Sequence, residues 1–406
     1  MKVGIIGAGA SGMSAALHAA WQGADVTLFE RNLTVGRKLI VTGSGRCNIS
    51  NDAVSAEKYA CADPAWMQNL INCFGVRDLL DMMAQIGVPV YKESDGWYYP
   101  LSQSAHSVVS AFSCALEMAG VALFTSAQVT SIQTRGKSFL ITFDQEQTRQ
   151  SLEFERVVVS TGGKAYPALG SRGELFSELK RLGHTVLPIR PALAPVMAEL
   201  GKLQELQGVR LDAGVTLWEG ARYVASTLGN MIFTQWGLNG PAVMDLSHHI
   251  SAHPEAKFHL SLNLLAPFQA AFDQLLARKC TSQMPLQILL GAFFPPKFVQ
   301  LFIRNANLTN GIPLCEIQDS ALERLLKNLT DARVGVKGLR GFEYCQLSAG
   351  GVPVTEIDAR TMESGRVTGL FLTGETLDVV GPCGGYNLQF AFSSGALAGM
   401  AAARRG

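Results

Sequence analysis

Residues 2–30 read KVGIIGAGASGMSAALHAAWQGADVTLFE, and this stretch decides the fold. Residues 2–6 form a short apolar run, which is typical of a buried strand. A G-x-G-x-x-G turn follows, then small and apolar residues at helical spacing up to Gly23, then a second apolar run that ends before Glu30. This order of strand, glycine turn, helix, strand and acid predicts a Rossmann-type dinucleotide-binding unit.

The glycines of the turn have separate physical roles. Gly7 allows the tight turn, Gly9 lets the backbone approach a pyrophosphate, and Gly12 lets the helix lie close to the strand. The helix N-terminus would then bind the phosphates, and Glu30 would accept hydrogen bonds from the ribose hydroxyls. FAD and NAD both carry an unmodified adenosine ribose, so this stretch alone leaves the cofactor open.

A second stretch, residues 35–51, reads VGRKLIVTGSGRCNISN and is rich in glycine and cations. It leaves the strand that ends at Glu30, so it should pass beside a bound nucleotide. Arg37 and Lys38 can offset phosphate charge, and the glycines let the backbone approach a flat ring. We expect this stretch to wrap the flavin end of FAD, with Arg46 at the ring edge. The alternative is that Arg46 pins the loop to the protein; Cys47 is expected to be a packing residue.

Four further pieces read as cofactor contacts. Residues 157–163 (VVVSTGG) form a β-branched run that enters a double-glycine turn. Residues 369–375 (GLFLTGE) read as another buried strand, which ends in a glycine and an acid. Residues 381–389 (GPCGGYNLQ) open a helix rich in small residues. Residues 121–129 (VALFTSAQV) read as one strand whose end, Val129, would contact the adenine. Pieces spread over the whole chain favour FAD, because a long cofactor lying through one domain requires them.

The predicted cofactor-binding residues come from all of these segments. They are Gly7, Gly9, Ala10, Ser11, Gly12, Glu30, Arg31, Arg37, Lys38, Gly43, Ser44, Gly45, Arg46, Val129, Thr161, Gly162, Gly163, Gly374, Glu375, Asp378, Gly385, Asn387 and Leu388. Glu375 or Asp378 would bind ribitol hydroxyls. No metal is predicted, since the seven histidines offer only His248-His249, whose side chains should point in opposite directions.

The chain resembles the aminoacetone-oxidase-like or bile-acid 3-dehydro-Δ4,6-reductase-like group of NAD(P)/FAD-dependent oxidoreductases, over nearly its whole length. The segments that carry this resemblance are GAGASG, GRKLIVTGSGRCNISN, TGGKAYPALGSRG, FTQWGLNGPAV, SAGGVPVTEIDARTMES and GLFLTGETLDVVGPCGGYNLQFAFSSG. Ser44 and Cys383 depart from the usual glycine and threonine and should leave FAD binding intact. Gln235-Trp236 and Asn239 depart from the usual residues of the insert, which puts the substrate in doubt more than the cofactor.

The predicted fold class is α/β, a discontinuous Rossmann-like FAD-binding domain with an inserted β-barrel-like domain and a small helical sub-insert. Period-2 alternation from Pro191 to about Leu265 indicates antiparallel strands, and helical spacing follows to about Asp331. The predicted bounds are 1–190 and 347–406 for the FAD domain, 191–265 and 332–346 for the barrel-like insert, and 266–331 for the helical part. The substrate is expected over the isoalloxazine, beside the β insert.

The predicted function is an FAD-dependent oxidoreductase of a small organic substrate, with amine oxidase and ene-type reductase both open. No second G-x-G-x-x-G exists, so NAD(P)H would bind at most as a transient co-substrate. The candidate catalytic residues are Arg46, Tyr166 and Tyr386; either tyrosine could be a general acid or simply a core residue. The alternative is a flavoprotein that acts on RNA, and the formal net charge of +1 argues against nucleic acid.

Composition and hydropathy predict the redox state of the cysteines and the absence of a membrane span. The 406 residues include eight scattered cysteines with no C-x-x-C, which predicts reduced thiols in the cytoplasm. The N-terminus lacks the pattern of a signal peptide. The most apolar segment, residues 286–303, contains two prolines and Lys297, so it predicts two short helices and not a membrane span. Oligomeric state has no sequence signal.

Overall fold

The computed structural model describes residues 1–404. This part of the chain contains nineteen strands and thirteen α-helices. The strands are β1 (Lys2–Ile6), β2 (Asp25–Phe29), β3 (Ser50–Asn51), β4 (Val90–Lys92), β5 (Trp97–Pro100), β6 (Ala122–Phe124), β7 (Ala127–Arg135), β8 (Ser138–Gln145), β9 (Thr148–Phe154), β10 (Arg156–Val159), β11 (Leu187–Ala192), β12 (Val196–Glu199), β13 (Arg210–Glu219), β14 (Arg222–Thr234), β15 (Gly237–Asn239), β16 (Phe258–Asn263), β17 (Ala332–Leu339), β18 (Leu347–Gly351) and β19 (Leu370–Leu372). The helices are α1 (Ala10–Trp21), α2 (Arg37–Ile40), α3 (Pro64–Cys73), α4 (Val76–Gln85), α5 (Ala105–Met118), α6 (Phe176–Arg181), α7 (Pro241–Met244), α8 (Ser247–Ala252), α9 (Gln269–Leu276), α10 (Leu286–Gly291), α11 (Pro296–Asn305), α12 (Asp319–Thr330) and α13 (Tyr386–Ala402).

The chain forms two compact units. The first combines Met1–Pro191 with Phe342–Gly406, and the second is Ala192–Gly341. A parallel α/β sheet in the first unit and a closed barrel with helices in the second confirm the predicted fold class. The four predicted domain bounds stay a prediction.

The first unit is built on a five-stranded parallel sheet in the order β19-β10-β1-β2-β6. Ile6 pairs with Val159 and with Phe29, and Val159 pairs with Leu372, so these strands end at the same level. The residues that follow them therefore meet at one edge of the sheet. Ligands of open α/β sheets bind at this carboxyl edge.

Helices α1 and α13 pack against each other through two glycines of α13. A Cβ on Gly395 would lie 2.1 Å from the carbonyl oxygen of Ser11, and one on Gly399 would lie 2.2 Å from that of Ala15. No side chain fits at either position, so the two helix backbones are in direct contact. The first and last helices of the first unit thus share one core.

The structure overturns the single strand predicted for residues 121–129. Two strands are present: β6 belongs to the parallel sheet, and β7 opens an antiparallel sheet with β8 and β9. Between them Ser126 adopts a positive φ of 51°, and its N–H donates to the carbonyl of Asn32. The N–H of Ala127 then donates to the carbonyl of Glu30. Hydrogen bonds to residues 30 and 32 therefore turn the chain between β6 and β7, inside the stretch that the sequence predicted as one strand.

The second unit is a closed barrel in the order β12-β15-β14-β13-β16-β17. Alternate residues of β13, namely Ala213, Val215 and Leu217, are fully buried, as a barrel strand requires. Helices α9 to α12 follow β16 in sequence, and the rings of Phe294, Phe298 and Phe302 stack in their core, with successive centroids 4.1 and 4.2 Å apart. Residues 286–303 form α10 and most of α11, which confirms the two short helices predicted there.

His248 and His249 correct a second prediction. Their rings lie 4.0 Å apart on α8 and do not point in opposite directions. Consecutive residues of a helix are about 100° apart, which leaves room for two rings to tilt together. Residues 1–404 contain no group of three or more histidine, cysteine or acidic side chains arranged to hold a metal ion. All eight cysteines are free.

No helix within residues 1–404 has both the length and the apolar character needed to cross a membrane.

A buried polar network in the first unit joins the segment that follows α6 to residues 356 and 364. His184 is 4% exposed. Its Nδ1 lies 2.7 Å from a carboxylate oxygen of Glu356, and its Nε2 lies 2.9 Å from the hydroxyl of Ser364. Burial alone would raise the pKa of Glu356, but hydrogen bonds from Thr185 and His184 outweigh burial and hold this pKa below 4.5.

We expect Glu356→Gln to reduce the free energy of unfolding by about 1–2 kcal/mol at pH 7, since a charge-assisted buried hydrogen bond is lost. A carboxyl with a lowered folded-state pKa stabilises the protein above pH 4.5 and loses that contribution as the pH falls through the folded-state pKa. The difference between variant and wild type should therefore shrink at acid pH. Urea unfolding at pH 7 and pH 4 measures it; a difference that grows at pH 4 would contradict the prediction.

Candidate cofactor and active site

The glycine turn after β1 is closed by the protein on one side and open on the other. Gly7 has a φ of 100°, and a Cβ on it would lie 2.5 Å from the carbonyl oxygen of Ser160. A Cβ on Gly12 would lie 1.8 Å from the carbonyl oxygen of Gly7. Gly9, in contrast, has an ordinary φ of −81° and no atom within 4 Å of a Cβ position. The space beside Gly9 is the space that a pyrophosphate would need.

Helix α1 presents free donors to this space. It begins at Ala10, with Gly9 as N-cap and no side-chain cap. Helix geometry leaves the first-turn N–H groups of Ala10, Ser11 and Gly12 without intrahelical acceptors. These donors and the positive end of the helix dipole suit a pyrophosphate. The donor set therefore fits a dinucleotide.

Glu30 is held rigidly at the end of β2. Its side chain is buried, one oxygen accepts the N–H of Ala8 at 3.0 Å, and the other accepts the N–H of Asn32 at 2.8 Å. Its two neighbouring cations are engaged by the protein: Arg31 pairs with Glu174, and Arg37 donates to the side chain of Asn32. Val129 is buried in β7, two residues past the hydrogen bond to the Glu30 carbonyl.

The loop of residues 35–51 lies against the N-terminus of α13. The side chain of Asn51 donates to the carbonyl of Gly384 at 2.9 Å, and Ser50 donates to Gln389 at 2.5 Å. A Cβ on Gly385 would lie 2.3 Å from the carbonyl oxygen of Ser50. The predicted flavin pieces from the two ends of the chain are thus in contact.

Several predicted residues shape the backbone of these two pieces. Gly43, Ser44 and Gly45 all have positive φ, and no atom lies within 4 Å of a Cβ position on Gly45. Asn387 closes the turn before α13, because its side chain accepts the N–H of Gly381 and donates to the carbonyl of the same residue. The neighbouring Leu388 packs against the core of the first unit.

A second group of predicted residues meets around Glu375. Lys38 donates to one oxygen of Glu375 at 2.5 Å, and the N–H and hydroxyl of Ser348 donate to the other. A Cβ on Gly163 would lie 1.9 Å from the Ser348 hydroxyl, and one on Gly374 would lie 2.7 Å from the Ser11 hydroxyl.

The acids of this group are held by the protein itself. An oxygen of Asp378 accepts the N–H of Gly350 at 2.6 Å, so both Glu375 and Asp378 bind β18. Contacts of either acid with ribitol hydroxyls stay a prediction. Thr161 and Gly162 connect β10 to Gly163, which lies beside Ser348 and Glu375. Gly162 has a positive φ of 72°.

Arg46 is engaged by its own neighbourhood. Its guanidinium donates to Glu93 at 3.1 Å and to the hydroxyl of Tyr99 at 3.0 Å, and it lies 4.1 Å from the centre of the Tyr99 ring. Burial raises the pKa of Tyr99 to about 12, so this hydroxyl stays protonated. This geometry favours the alternative in which Arg46 pins the loop. A catalytic role for Arg46 stays a prediction.

We expect Arg46→Ala to reduce the free energy of unfolding by about 1 kcal/mol, since a half-exposed ion pair and a cation–π contact are lost. The midpoint potential of the FAD-loaded variant should equal that of wild type. Thermal unfolding and spectroelectrochemical titration measure the two quantities. Arg77→Ala, which removes an exposed arginine of α4, is the matched control. A lowered potential at unchanged stability would restore the catalytic alternative.

The two candidate tyrosines differ in surroundings. Tyr166 has a positive φ of 57°, and its N–H donates to the carbonyl of Phe342. Burial, with a smaller contribution from Cys345, raises the pKa of Tyr166, so its hydroxyl holds a proton at neutral pH. Tyr386 is buried at the start of α13, with its ring edge-on to that of Tyr59.

Cys47 has the character of a packing residue. Its side chain is fully buried, and burial raises the pKa of its thiol to about 12. A thiol with this pKa is not a nucleophile at neutral pH.

Sequence reasoning missed the residues that connect the predicted pieces. Ser348, Asn51 and Tyr99 hold Glu375, the α13 turn and Arg46, respectively. Ser348 and Asn51 occur inside quoted motifs, so their position beside glycines was the available signal. Tyr99 carried no signal of its own.

Known proteins share the sequence of this chain over nearly its whole length. A family model described as "HI0933-like protein Rossmann domain" matches residues 1–401. The chain belongs to the HI0933-like family. It is 34% identical over 413 residues to the 3-dehydro-bile acid delta(4,6)-reductase of Clostridium scindens, a match that covers 100% of this chain and 99% of that protein. The predicted family and enzyme class, an FAD-dependent oxidoreductase, are confirmed.

Other relatives have a different named activity. The chain is 29% identical to the ribosomal RNA dihydrouridine synthase of Escherichia coli, over 96% of this chain and 95% of that protein. Among solved structures, 3-ketosteroid delta1-dehydrogenase from Sterolibacterium denitrificans matches with a TM-score of 0.55 at 12% identity, over 99% of both chains. That likeness shows the fold. The expectation that nucleic acid is not a partner stays a prediction.

Proposed function

We propose that this HI0933-like enzyme reduces a carbon–carbon double bond conjugated to a carbonyl group in a small organic molecule. The observation that carries the proposal is the full-length match at 34% identity to a delta(4,6)-reductase of a 3-dehydro bile acid. The E. coli relative makes dihydrouridine, in which the double bond of uracil conjugated to a carbonyl is saturated. Two relatives with different substrates thus share one bond chemistry.

Three parts of the first unit would hold FAD: the glycine turn with the first turn of α1, Glu30, and the N-terminus of α13. The first turn of α1 and the open space at Gly9 would take the pyrophosphate, and Glu30 would take the adenosine ribose. The N-terminus of α13, with Gly385 as its N-cap and no side-chain cap, offers a positive dipole end for the flavin pyrimidine. When bound and reduced by NAD(P)H, FAD would supply the hydride for the double bond.

The chain itself must supply a proton, because saturation of an enone adds a hydride at one carbon and a proton at the other. The hydroxyl of Tyr166, which follows the double-glycine turn after β10 and is protonated at neutral pH, is the proposed proton donor. Tyr386 is the second candidate. NAD(P)H is the proposed reductant of the enzyme, as a transient co-substrate, and the cytoplasm is the proposed location.

The test is an anaerobic reduction of FAD-loaded protein by NADH or NADPH, followed at the flavin absorbance. The reduced protein is then mixed with a conjugated enone, with the matching saturated ketone, and with oxygen. We expect the enone to reoxidise the protein at least tenfold faster than the ketone. Reoxidation by oxygen alone, with no response to any enone, would contradict the proposal and favour an oxidase.

Reduction of uridine in RNA is the second candidate function, and the E. coli relative favours it. The same reduced protein is incubated with an unmodified ribosomal RNA transcript, and dihydrouridine is measured by mass spectrometry. Formation of dihydrouridine with no reduction of small enones would replace the proposed substrate class. Salt-sensitive binding of the transcript would accompany that outcome.

A further inference from the structure

Arg190 lies on β11 and has no partner in the part of the chain that the structure describes. Its Nε is fully buried and unpaired, and within residues 1–404 its guanidinium forms no hydrogen bond and no ion pair. The residue as a whole is half-buried. Other arginines of the first unit at comparable burial are paired; Arg31, for example, binds Glu174 through two hydrogen bonds.

Only the Nε of Arg190 is buried; the terminal nitrogens of its guanidinium are not buried atoms and are accessible to a ligand. A buried donor of a charged group costs free energy unless a hydrogen bond compensates it. Arginine also keeps its charge at any physiological pH, so it cannot escape this cost by losing a proton. A buried donor without a partner in a native protein has a reason, and a functional role or a bound ion is among the known ones.

The position of Arg190 connects it with the candidate site. Gly350 of β18 lies so close to β11 that a Cβ on it would lie 2.2 Å from the carbonyl oxygen of Pro188. The N–H of Gly350 donates to Asp378. Arg190 therefore lies on the strand next to the one that binds Glu375 and Asp378.

The two acids bound by β18 do not pair with Arg190. Glu375 is taken by Lys38 and Ser348, and Asp378 binds the backbone of Gly350. The donors proposed for the FAD pyrophosphate lie elsewhere, at the first turn of α1. An oxyanion other than the pyrophosphate is the partner that the free guanidinium of Arg190 suits.

We infer that Arg190 binds a carboxylate of the substrate, so that the preferred substrate is an unsaturated carbonyl compound that carries a carboxylate. A planar guanidinium pairs with a carboxylate through two parallel hydrogen bonds, which both orients and selects the ligand. This inference rests on the proposed function for the rest of the substrate, but the binding of a carboxylate can be tested without turnover.

The test compares trans-3-benzoylacrylate with its methyl ester, two conjugated ketones that differ in charge. Binding to oxidised, FAD-loaded protein is measured from the perturbation of the flavin absorbance. For wild type we expect the carboxylate to bind at least tenfold more tightly than the ester. Arg190→Gln should weaken carboxylate binding 10- to 100-fold and change the affinities for the ester and for FAD less than threefold. Arg190→Lys should recover part of the loss.

Arg360→Gln is the matched control, because Arg360 is an exposed arginine of the same unit; it should leave both affinities unchanged. Equal weakening of acid and ester, a loss of FAD affinity, or unchanged binding in Arg190→Gln would each overturn the inference. Arg190-dependent binding of the carboxylate with no reduction of either compound would instead leave the inference standing and contradict the proposed function.

Discussion

Gly9→Val should fold like the wild type and lose FAD. The φ of Gly9 is −81°, which a valine adopts without strain, and no atom lies within 4 Å of the Cβ position. The valine methyl groups would occupy the space into which the pyrophosphate must fit against the first turn of α1. We expect the dissociation constant for FAD to rise at least 100-fold, about 2.7 kcal/mol.

Flavin content after gel filtration and FAD titration of the apoprotein measure this effect, and urea unfolding of the apoprotein measures the fold. Gly311→Val is the matched control, since Gly311 also has open space around its Cβ position and no positive φ. It should retain FAD and stability. A Gly9→Val protein that keeps its flavin would show that the pyrophosphate does not lie at the α1 turn.

Gly395→Val should destabilise the first unit. The variant should lose FAD, and less of it should be expressed in soluble form. A Cβ at this position would lie 2.1 Å from the backbone oxygen of Ser11, so α13 and α1 must move apart. Overpacking of a core costs about 1–3 kcal/mol, and a clash with backbone belongs at or above the upper end. FAD loss should follow, because Ser11 belongs to the first turn of α1.

Thermal unfolding measures this effect, with an expected decrease in Tm of about 6–12 °C. Ala401→Val on the same helix is the matched control and should cost under about 1 kcal/mol, the helix propensity of valine. A Gly395→Val protein with wild-type Tm would show that the two helices are not in backbone contact. Loss of FAD at unchanged Tm would indicate a local change of the α1 turn.

Local sequence patterns predicted the parts of the FAD unit well. The strand at residues 2–6, the helix after the glycine turn and the strand at residues 157–159 all occur in the structure, because apolar periodicity and glycine placement act over a few residues. The single strand predicted for residues 121–129 failed, since the break at Ser126 depends on hydrogen bonds to residues 30 and 32. Those bonds have no signal in the local pattern.

By itself, the sequence determined the fold class, the glycine turn and the glycine-rich segments, several of which contact one another in the structure. Only the tertiary structure decided which partner each charged side chain takes. Lys38 meets Glu375 across 337 residues, Arg46 meets Glu93 and Tyr99, and Arg190 has no partner within the described chain. The physical reason is the sequence separation over which each kind of interaction acts. Strand, helix and turn preferences arise from neighbours in sequence, whereas ion pairs arise from contacts that exist only after the segments have packed.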